Sequence, residues 1–124
     1  MKFEELSEKI INCAIEVHKA LGPGLLENAY KECLYYKLCK DGLHVEKEKI
    51  LPLVFEEVTL DCGYRIDLLV ENKIIIELKS TKKIEDIHLA QILTYMKLGK
   101  IDVGLILNFN VLTLKDCIKR VVND

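Results

Sequence analysis

Residues 64–80 carry the strongest structural signal of the chain and read Tyr64-Arg65-Ile66-Asp67-Leu68-Leu69-Val70-Glu71-Asn72-Lys73-Ile74-Ile75-Ile76-Glu77-Leu78-Lys79-Ser80. Two apolar runs flank a polar turn at residues 71–73, which is the pattern of a β-hairpin. A turn centred on Asn72 pairs Val70 with Ile74. The nearly continuous apolar run 74–78 is typical of a central strand covered on both faces. Because side chains alternate between the faces of a strand, one face of the hairpin should carry Ile66, Leu68, Val70, Ile74, Ile76 and Leu78.

The other face of this predicted hairpin is charged. In the same register Asp67 lies opposite Glu77, and both are expected to share a face with Lys79. Two carboxylates directly opposed across a ladder repel each other, so we expect a cation between them. Hard divalent ions such as Mg²⁺ are bound by a few carboxylates together with water and phosphate oxygens. Lys79 could then position a water molecule or stabilise charge on a phosphate. A solvated charged face of an antiparallel sheet is the alternative interpretation.

The length and composition predict a single globular domain over residues 1–124. Half of the residues are apolar and 31% are charged, which is typical of globular proteins. No apolar run is long enough to span a bilayer and the N-terminus does not resemble a signal peptide, so a cytoplasmic location without a membrane is expected. The five cysteines show no short Cys-x-x-Cys spacing, which indicates reduced, mostly buried thiols rather than a zinc site.

The charge balance bears on any nucleic-acid partner. The chain has 18 Lys and Arg against 20 Asp and Glu, a formal net charge of −2. Binding to nucleic acid depends on Lys and Arg contacts to phosphates, so this chain starts with a small deficit. Carboxylates that hold metal ions no longer act as free negative charge, and the deficit therefore does not exclude a nucleic-acid partner.

Two helices are predicted before the hairpin. An apolar stripe predicts the first helix over residues 3–21, and the Gly22-Pro23-Gly24 turn ends it. The second helix is predicted over residues 25–39. Glu27 and Tyr30 share one face of it, and Glu27 lies in its first turn. A carboxylate in that position is stabilised by the helix dipole, so stabilisation of the helix is an alternative to a functional role for Glu27.

The remaining sequence predicts one further helix and additional strands. Residues 45–60 indicate an edge strand and connecting segments, and residues 84–99 a largely buried helix that Ser80 or Thr81 could cap. His88, Gln91 and Tyr95 fall on one stripe of that helix. A glutamine in this setting is more often a hydrogen-bonding residue than a catalytic one. A strand over 102–109 and a final strand over 116–122, for which a short helix is the alternative, complete one mixed sheet with helices packed on its faces.

Several motifs in order resemble the small bacterial and archaeal GxxExxY proteins. The name-giving signature corresponds to Gly24-Leu25-Leu26-Glu27-Asn28-Ala29-Tyr30, preceded by a match through Glu16-Val17-His18-Lys19-Ala20-Leu21-Gly22-Pro23. Further matches lie at Asp67, Glu77-Leu78-Lys79, His88-Leu89-Ala90-Gln91, Tyr95 and Gly104-Leu105-Ile106-Leu107-Asn108-Phe109-Asn110. The resemblance thus covers nearly the whole chain.

That family is similar to a branch of the PD-(D/E)XK phosphodiesterase superfamily, whose name-giving motif has Pro where this chain has Ile66. The resemblance implies an α/β (α+β) fold of the restriction-endonuclease-like type, a mixed β-sheet flanked by helices with the core order αβββαβ. It also implies that Asp67 and Glu77 ligate Mg²⁺ or Mn²⁺, that Glu27 completes the metal shell, and that Lys79 orients or activates the attacking water.

The resemblance implies further contacts on the third helix. Gln91 and Tyr95 resemble the Gln-x-x-x-Tyr motif of the exonuclease-like members, which contacts the catalytic site or the DNA end. Tyr30 and His88 belong to the matched motifs and join Gln91 and Tyr95 as candidate substrate-binding residues.

The leading hypothesis is therefore a metal-dependent phosphodiesterase or nuclease, a hydrolase that acts on DNA through its Asp…Glu-x-Lys site. The alternative is a catalytically silent binding module with a nuclease fold, which acts with a protein or nucleic-acid partner. A third possibility is a metabolic hydrolase of a small phosphodiester. The small size, the acidic balance and the lack of a separate DNA-binding element favour the binding module, or else a homodimer or a protein partner that supplies the missing surface.

Overall fold

The computed structural model describes residues 2–123, except for the side chain of Asp116. The helices in this range are α1 Glu4–Leu21, α2 Glu27–Lys40 and α3 Asp86–Gly99. The strands are β1 Val45–Ile50, β2 Leu53–Phe55, β3 Val58–Leu60, β4 Arg65–Val70, β5 Ile74–Lys79, β6 Val103–Asn108 and β7 Ile118–Val122, and a 3₁₀ turn at Leu114–Cys117 precedes β7. The predicted order of helices and strands is confirmed. Each helix in residues 2–123 is too short or too polar to cross a membrane.

A five-stranded mixed sheet forms the centre of the fold, in the order β1-β4-β5-β6-β7. Strands β5 and β6 are parallel and are joined through α3, whereas the other neighbours are antiparallel. In chain order α2, β1, β4, β5, α3 and β6 give the predicted αβββαβ core. The expected restriction-endonuclease-like arrangement of a mixed sheet flanked by helices is therefore confirmed.

Each face of the sheet is covered by its own apolar cluster. We call them the α1/α2 cluster, in which both N-terminal helices pack on Leu68, Val70, Ile74, Ile76 and Leu78, and the α3 cluster, in which Ile92, Tyr95 and Met96 pack on Leu69, Ile75 and Ile106. Strand β5 lies between the two clusters, and its residues from Ile74 to Leu78 are all buried. The prediction of a central strand covered on both faces is confirmed. Each large apolar side chain buried here contributes about 1.5–3 kcal/mol to folding.

The turn of the central hairpin fixes the register of β4 and β5. Glu71 and Asn72 have positive φ angles of 53° and 55°, as a type I′ turn requires at both central positions. The Lys73 N–H closes the turn on the Val70 carbonyl oxygen at 2.9 Å. Val70 lies opposite Ile74, as predicted, and this register brings residues 67 and 77 to facing positions.

Residues 53–60 differ from the expected connecting segment. Strands β2 and β3 form a separate two-stranded hairpin outside the main sheet, while β1 is an edge strand as predicted. Val54, Phe55, Val58 and Leu60 on this hairpin are exposed. Short alternating segments next to Pro52 gave no signal of which sheet they would join, since register depends on the partner strand.

Two further local predictions need correction. Glu85, rather than Ser80 or Thr81, is the N-cap of α3, and Ser80 Oγ instead donates to the Leu25 carbonyl oxygen at 2.9 Å. The five cysteines are free, as expected, but of these Cys13 alone is buried, while Cys33 and others are exposed. The expectation of mostly buried thiols is wrong because the apolar stripe of α2 runs through residues 30, 34 and 38.

Gly104 on β6 marks the tightest contact between α3 and the sheet. A Cβ atom at this position would lie 2.7 Å from Cδ1 of Ile92 and 3.0 Å from Sδ of Met96. We expect Gly104→Ala to lower the free energy of unfolding by about 1–3 kcal/mol, because the packed side chains of Ile92 and Met96 would have to shift. Urea unfolding followed by circular dichroism measures the change.

Gly99→Ala is the matched control for this substitution. A Cβ atom on Gly99 would have ordinary contacts, the nearest at 3.5 Å to Leu51, and alanine is the better helix former, so stability should be unchanged or slightly higher. Equal losses of stability in both variants would contradict the assignment of Gly104 as the point of closest packing.

Candidate active site

The candidate site lies where strands β4 and β5 separate. The last paired residues of the backbone ladder are Leu68 and Ile76. At the next position the N–H of Asp67 donates to Oε2 of Glu77 at 2.9 Å, and the N–H of Leu78 donates to Oδ2 of Asp67 at 2.9 Å. Each carboxylate therefore accepts a backbone N–H of the opposite strand, which fixes one of its oxygens and holds the two carboxylates facing each other.

The regular pleat of β4 is broken at this point. Ile66 packs in the α3 cluster and Leu68 in the α1/α2 cluster, although residues two apart on a regular strand face the same side. The neighbouring β1 is irregular at the same level, because Glu48, which falls opposite Asp67 in the β1–β4 register, has a φ of 54°. The prediction that Ile66 shares a face with Leu68 is therefore wrong.

Asp67 and Lys79 line different cavities and still interact through their charges. Asp67 lines a cavity of about 360 Å³ on the α2 side of the sheet, whereas Lys79 lines a cavity of about 480 Å³ on the α3 side. Glu77 is 5% exposed and is not among the residues that line either cavity. Lys79 acts on both Asp67 and Glu77 through its charge, and the expectation that the three residues share one face stays a prediction.

Burial of the carboxylates changes their protonation. It raises the pKa of Glu77 to about 8, and the charges of Asp67 and Glu27 add to this effect against the opposing Asp67 N–H and Lys79. Burial likewise raises the pKa of Asp67, against the lowering effects of the Leu78 N–H and of the lysines. Two facing carboxyl groups in a desolvated position favour one shared proton over two negative charges when no cation is present.

The α3-side cavity brings together the predicted residues of the third helix. Nζ of Lys79 donates to Oε1 of Gln91 at 3.4 Å, and Nε2 of Gln91 donates to the hydroxyl oxygen of Tyr95 at 3.4 Å. His88 lines the same cavity, with its Nδ1 accepting the N–H of Glu85 at 3.0 Å. Lys79, Gln91, Tyr95 and His88 therefore form one polar wall at the end of β5, as the helical spacing predicts.

The α2-side cavity contains Glu27, the first residue of α2, next to Asp67. It also contains Lys31, which sequence reasoning missed. Lys31 lies four residues after Glu27 and therefore on the same helix face, which is the one sequence signal that could have identified it. In residues 2–123 no group of three or more His, Cys, Asp or Glu side chains is already arranged to hold a metal ion, and the role of Glu27 as a third ligand stays a prediction.

Tyr30 has a structural position. Its side chain is fully buried and stacks on Phe109 with 4.5 Å between ring centroids. The hydroxyl donates to the Gly22 carbonyl oxygen at 2.5 Å and accepts the Leu25 N–H at 3.1 Å. The prediction that Tyr30 contacts the substrate does not fit this burial. The residue instead fixes the loop from which Glu27 begins α2.

The raised pKa of Glu77 makes the stability of the metal-free protein depend on pH. In the unfolded chain this carboxyl titrates near its ordinary value of 4.5, and in the folded protein near about 8, so the folded state binds more protons between these values. Its stabilising contribution is complete below the unfolded pKa and is lost as pH rises through the folded pKa. In EDTA, the free energy of unfolding should therefore fall between about pH 5 and 8.

Glu77→Gln should flatten this profile, because the amide stays neutral at every pH. Glu57→Gln, on the exposed turn of the β2–β3 hairpin, is the control and should keep the wild-type profile. Urea unfolding at several pH values measures both variants. A wild-type slope that persists in Glu77→Gln would show that another group causes the pH dependence.

One of three comparisons with known proteins gives a match. A family model described as the PD-(D/E)XK nuclease superfamily matches residues 4–121. Comparison with curated proteins and with solved structures gives no match. The narrower resemblance to the GxxExxY proteins stays a prediction. Because the match covers nearly the whole chain, including both helices before the hairpin and the residues at the ends of β4 and β5, the chain belongs to the PD-(D/E)XK nuclease superfamily.

Proposed function

We propose that this protein is a metal-dependent nuclease that hydrolyses phosphodiester bonds of DNA. The observation that supports the proposal is the facing pair Asp67 and Glu77, each held by a backbone N–H of the opposite strand, with Lys79 two residues beyond. Such a pair costs folding free energy, because burying like charges is unfavourable. A divalent cation bound by the two carboxylates would neutralise their charge and remove this cost.

The donor set fits Mg²⁺ or Mn²⁺. Asp67 and Glu77 offer carboxylate oxygens, and in residues 2–123 each uses one oxygen in a hydrogen bond to a backbone N–H. Mg²⁺ is commonly bound by one or two carboxylates, with water and substrate phosphates as the remaining ligands. We infer that Asp67 and Glu77 would hold the ion and that Glu27, in the cavity of Asp67, would contribute to its shell. The ion would neutralise charge on the phosphate and lower the pKa of a bound water.

Lys79 is the residue we propose for orienting the attacking water. Its ammonium is held by the neutral amide oxygen of Gln91, so its charge is not cancelled by a carboxylate at that contact. Gln91 in turn contacts Tyr95, which orders the polar wall of the cavity. Gln91, Tyr95 and His88 are placed to contact the substrate, and Gln91 would also position Lys79 for the reaction.

DNA as the substrate is supported by superfamily membership and by local charge. Although the net charge is −2, Lys82 and Lys83 are exposed in the loop after β5, beside a cavity that they share with His88. Basic side chains there could contact phosphates on either side of the cleaved bond. A binding module without turnover is the second candidate, because the apolar β2–β3 hairpin exposes Val54 and Phe55, which favours a protein partner.

Two substitutions separate the metal site from the chemistry. We expect wild-type protein to bind Mg²⁺ or Mn²⁺ in calorimetry and to cleave linear or circular DNA when the ion is present. Asp67→Asn should lose both properties, because a neutral amide no longer attracts the ion. Lys79→Met should bind the metal at least as tightly as wild type, because a cation near the ligands is removed, but it should lower the cleavage rate by about 10²-fold or more, as expected for loss of a charged group at the reacting phosphate. Glu57→Gln is the control and should match wild type.

The other outcomes identify the rival functions. Metal binding without cleavage of any DNA would favour the binding module, and cleavage of a small phosphodiester without salt-sensitive DNA binding would favour the metabolic hydrolase. Absence of metal binding in the wild-type protein would overturn the proposed function.

A further inference from the structure

The ammonium group of Lys31 lies beside the candidate site. Its Nζ forms an ion pair with Oε1 of Glu48 at 2.8 Å, and the Lys31 side chain is only 13% exposed. Lys31 and Asp67 line the same cavity on the α2 side of the sheet. A cation that is part of the protein therefore lies in the cavity where Asp67 would meet a divalent ion.

Glu48 reaches this position through an unusual backbone. Its φ of 54° lies in the left-handed region that residues other than glycine rarely adopt. The flanking residues Lys47 and Lys49 keep their pairing with β4, so the irregularity is confined to one residue, opposite Asp67. Local strain of this kind persists only when its surroundings compensate for it, and it is concentrated at functional sites. Here it directs a carboxylate to Lys31.

Lys31 interacts electrostatically with the carboxylates of Glu48 and Asp67. Burial alone would lower the pKa of Lys31, but the hydrogen bond to Glu48 and the charge of Asp67 raise it above its ordinary value. Lys31 therefore stays protonated at neutral pH and is attracted by both carboxylates at once. Glu48 makes the direct contact, and Asp67 acts on Lys31 through its charge. One ammonium is thus shared unequally between two acids.

We propose that Lys31 is a tethered cation that competes with a divalent ion for Asp67, and that Glu48 is the positioning residue that holds the ammonium away from it. This inference rests on the proposed role of Asp67 as a metal ligand. In the structure the ammonium contacts Glu48 and interacts with Asp67 through its charge alone, so the Glu48 contact would limit how strongly Lys31 opposes an ion at Asp67. The pair would then set the ion concentration at which the site is filled.

The test is calorimetric titration with Mn²⁺ alone, without DNA. Lys31→Met removes the competitor and a repelling charge, and should tighten Mn²⁺ binding by about tenfold. Glu48→Gln releases Lys31 toward Asp67, and should weaken binding by roughly fivefold to tenfold. The double variant distinguishes competition from simple additive charge effects. In the Lys31→Met background, Glu48→Gln should weaken binding clearly less than it does in the wild-type background, because no ammonium remains to be released and only the direct effect of the Glu48 charge on Asp67 is lost.

The ion pair of Lys37 and Glu16 provides a matched control. It joins α2 to α1 at 2.7 Å, and Lys37→Met and Glu16→Gln should leave Mn²⁺ affinity unchanged. A merely structural role of the Lys31–Glu48 pair predicts weaker binding in both single variants, and additive electrostatics predicts the same effect of Glu48→Gln in both backgrounds. Either result overturns the inference.

The result with Asp67→Asn separates this inference from the proposed function. If Asp67→Asn abolishes Mn²⁺ binding while Lys31→Met binds like wild type, the competition is refuted and the proposed function stands. If wild-type protein does not bind Mn²⁺, both are refuted. Thermal unfolding of every variant confirms that it is folded before titration.

Discussion

The site depends on an exchange of hydrogen bonds between two strands. At the level of Asp67 and Glu77, side-chain carboxylates take the place of the carbonyl oxygens that would otherwise accept backbone N–H groups. Backbone N–H groups must find a partner when buried, and a carboxylate is a strong acceptor. The two strands can therefore separate without leaving unsatisfied donors, but only because both acids are present. The same two hydrogen bonds that complete the sheet also hold the acids in facing positions.

The rest of the fold keeps these positions rigid. Apolar clusters cover β5 on both faces, and its parallel pairing with β6 extends to Lys79. The end of β5 is thereby fixed by hydrogen bonds on one side and by packing above and below. Groups that act on a substrate need such support, because a displacement of about 1 Å can abolish their effect. Tyr30 gives the same support on the α2 side, where its hydroxyl fixes the loop before Glu27.

The sequence was sufficient for the parts of the site that follow from strand and helix periodicity. The register of the hairpin, the central position of β5 and the polar stripe of α3 all depend on local patterns, and all were predicted. The cavity that Asp67 lines was not, because the regular pleat of β4 is interrupted between Ile66 and Leu68. Periodicity assumes a regular pleat and contains no information about the position at which a pleat is interrupted.

Contacts between distant segments were also beyond the sequence patterns. Lys31 and Glu48 are separated by 17 positions, and each alone resembles an ordinary charged residue on the surface of a helix or of an edge strand. The motif pointed to Tyr30 but did not show whether its role is structural, since a matched residue can support a loop as well as contact a substrate. Only the packing of its ring on Phe109 distinguishes these roles.

The difference between the two lysines follows from the groups that hold them. Lys79 is held by the neutral amide of Gln91, so it keeps its full charge for the site. Lys31 is held by the charged Glu48, which draws it away from Asp67. Each lysine lowers the pKa of a neighbouring acid, yet a neutral partner leaves a cation available and a charged partner restrains it. Two ammonium groups of equal charge can therefore have different roles, one at the reacting phosphate and one in controlling the entry of a metal ion.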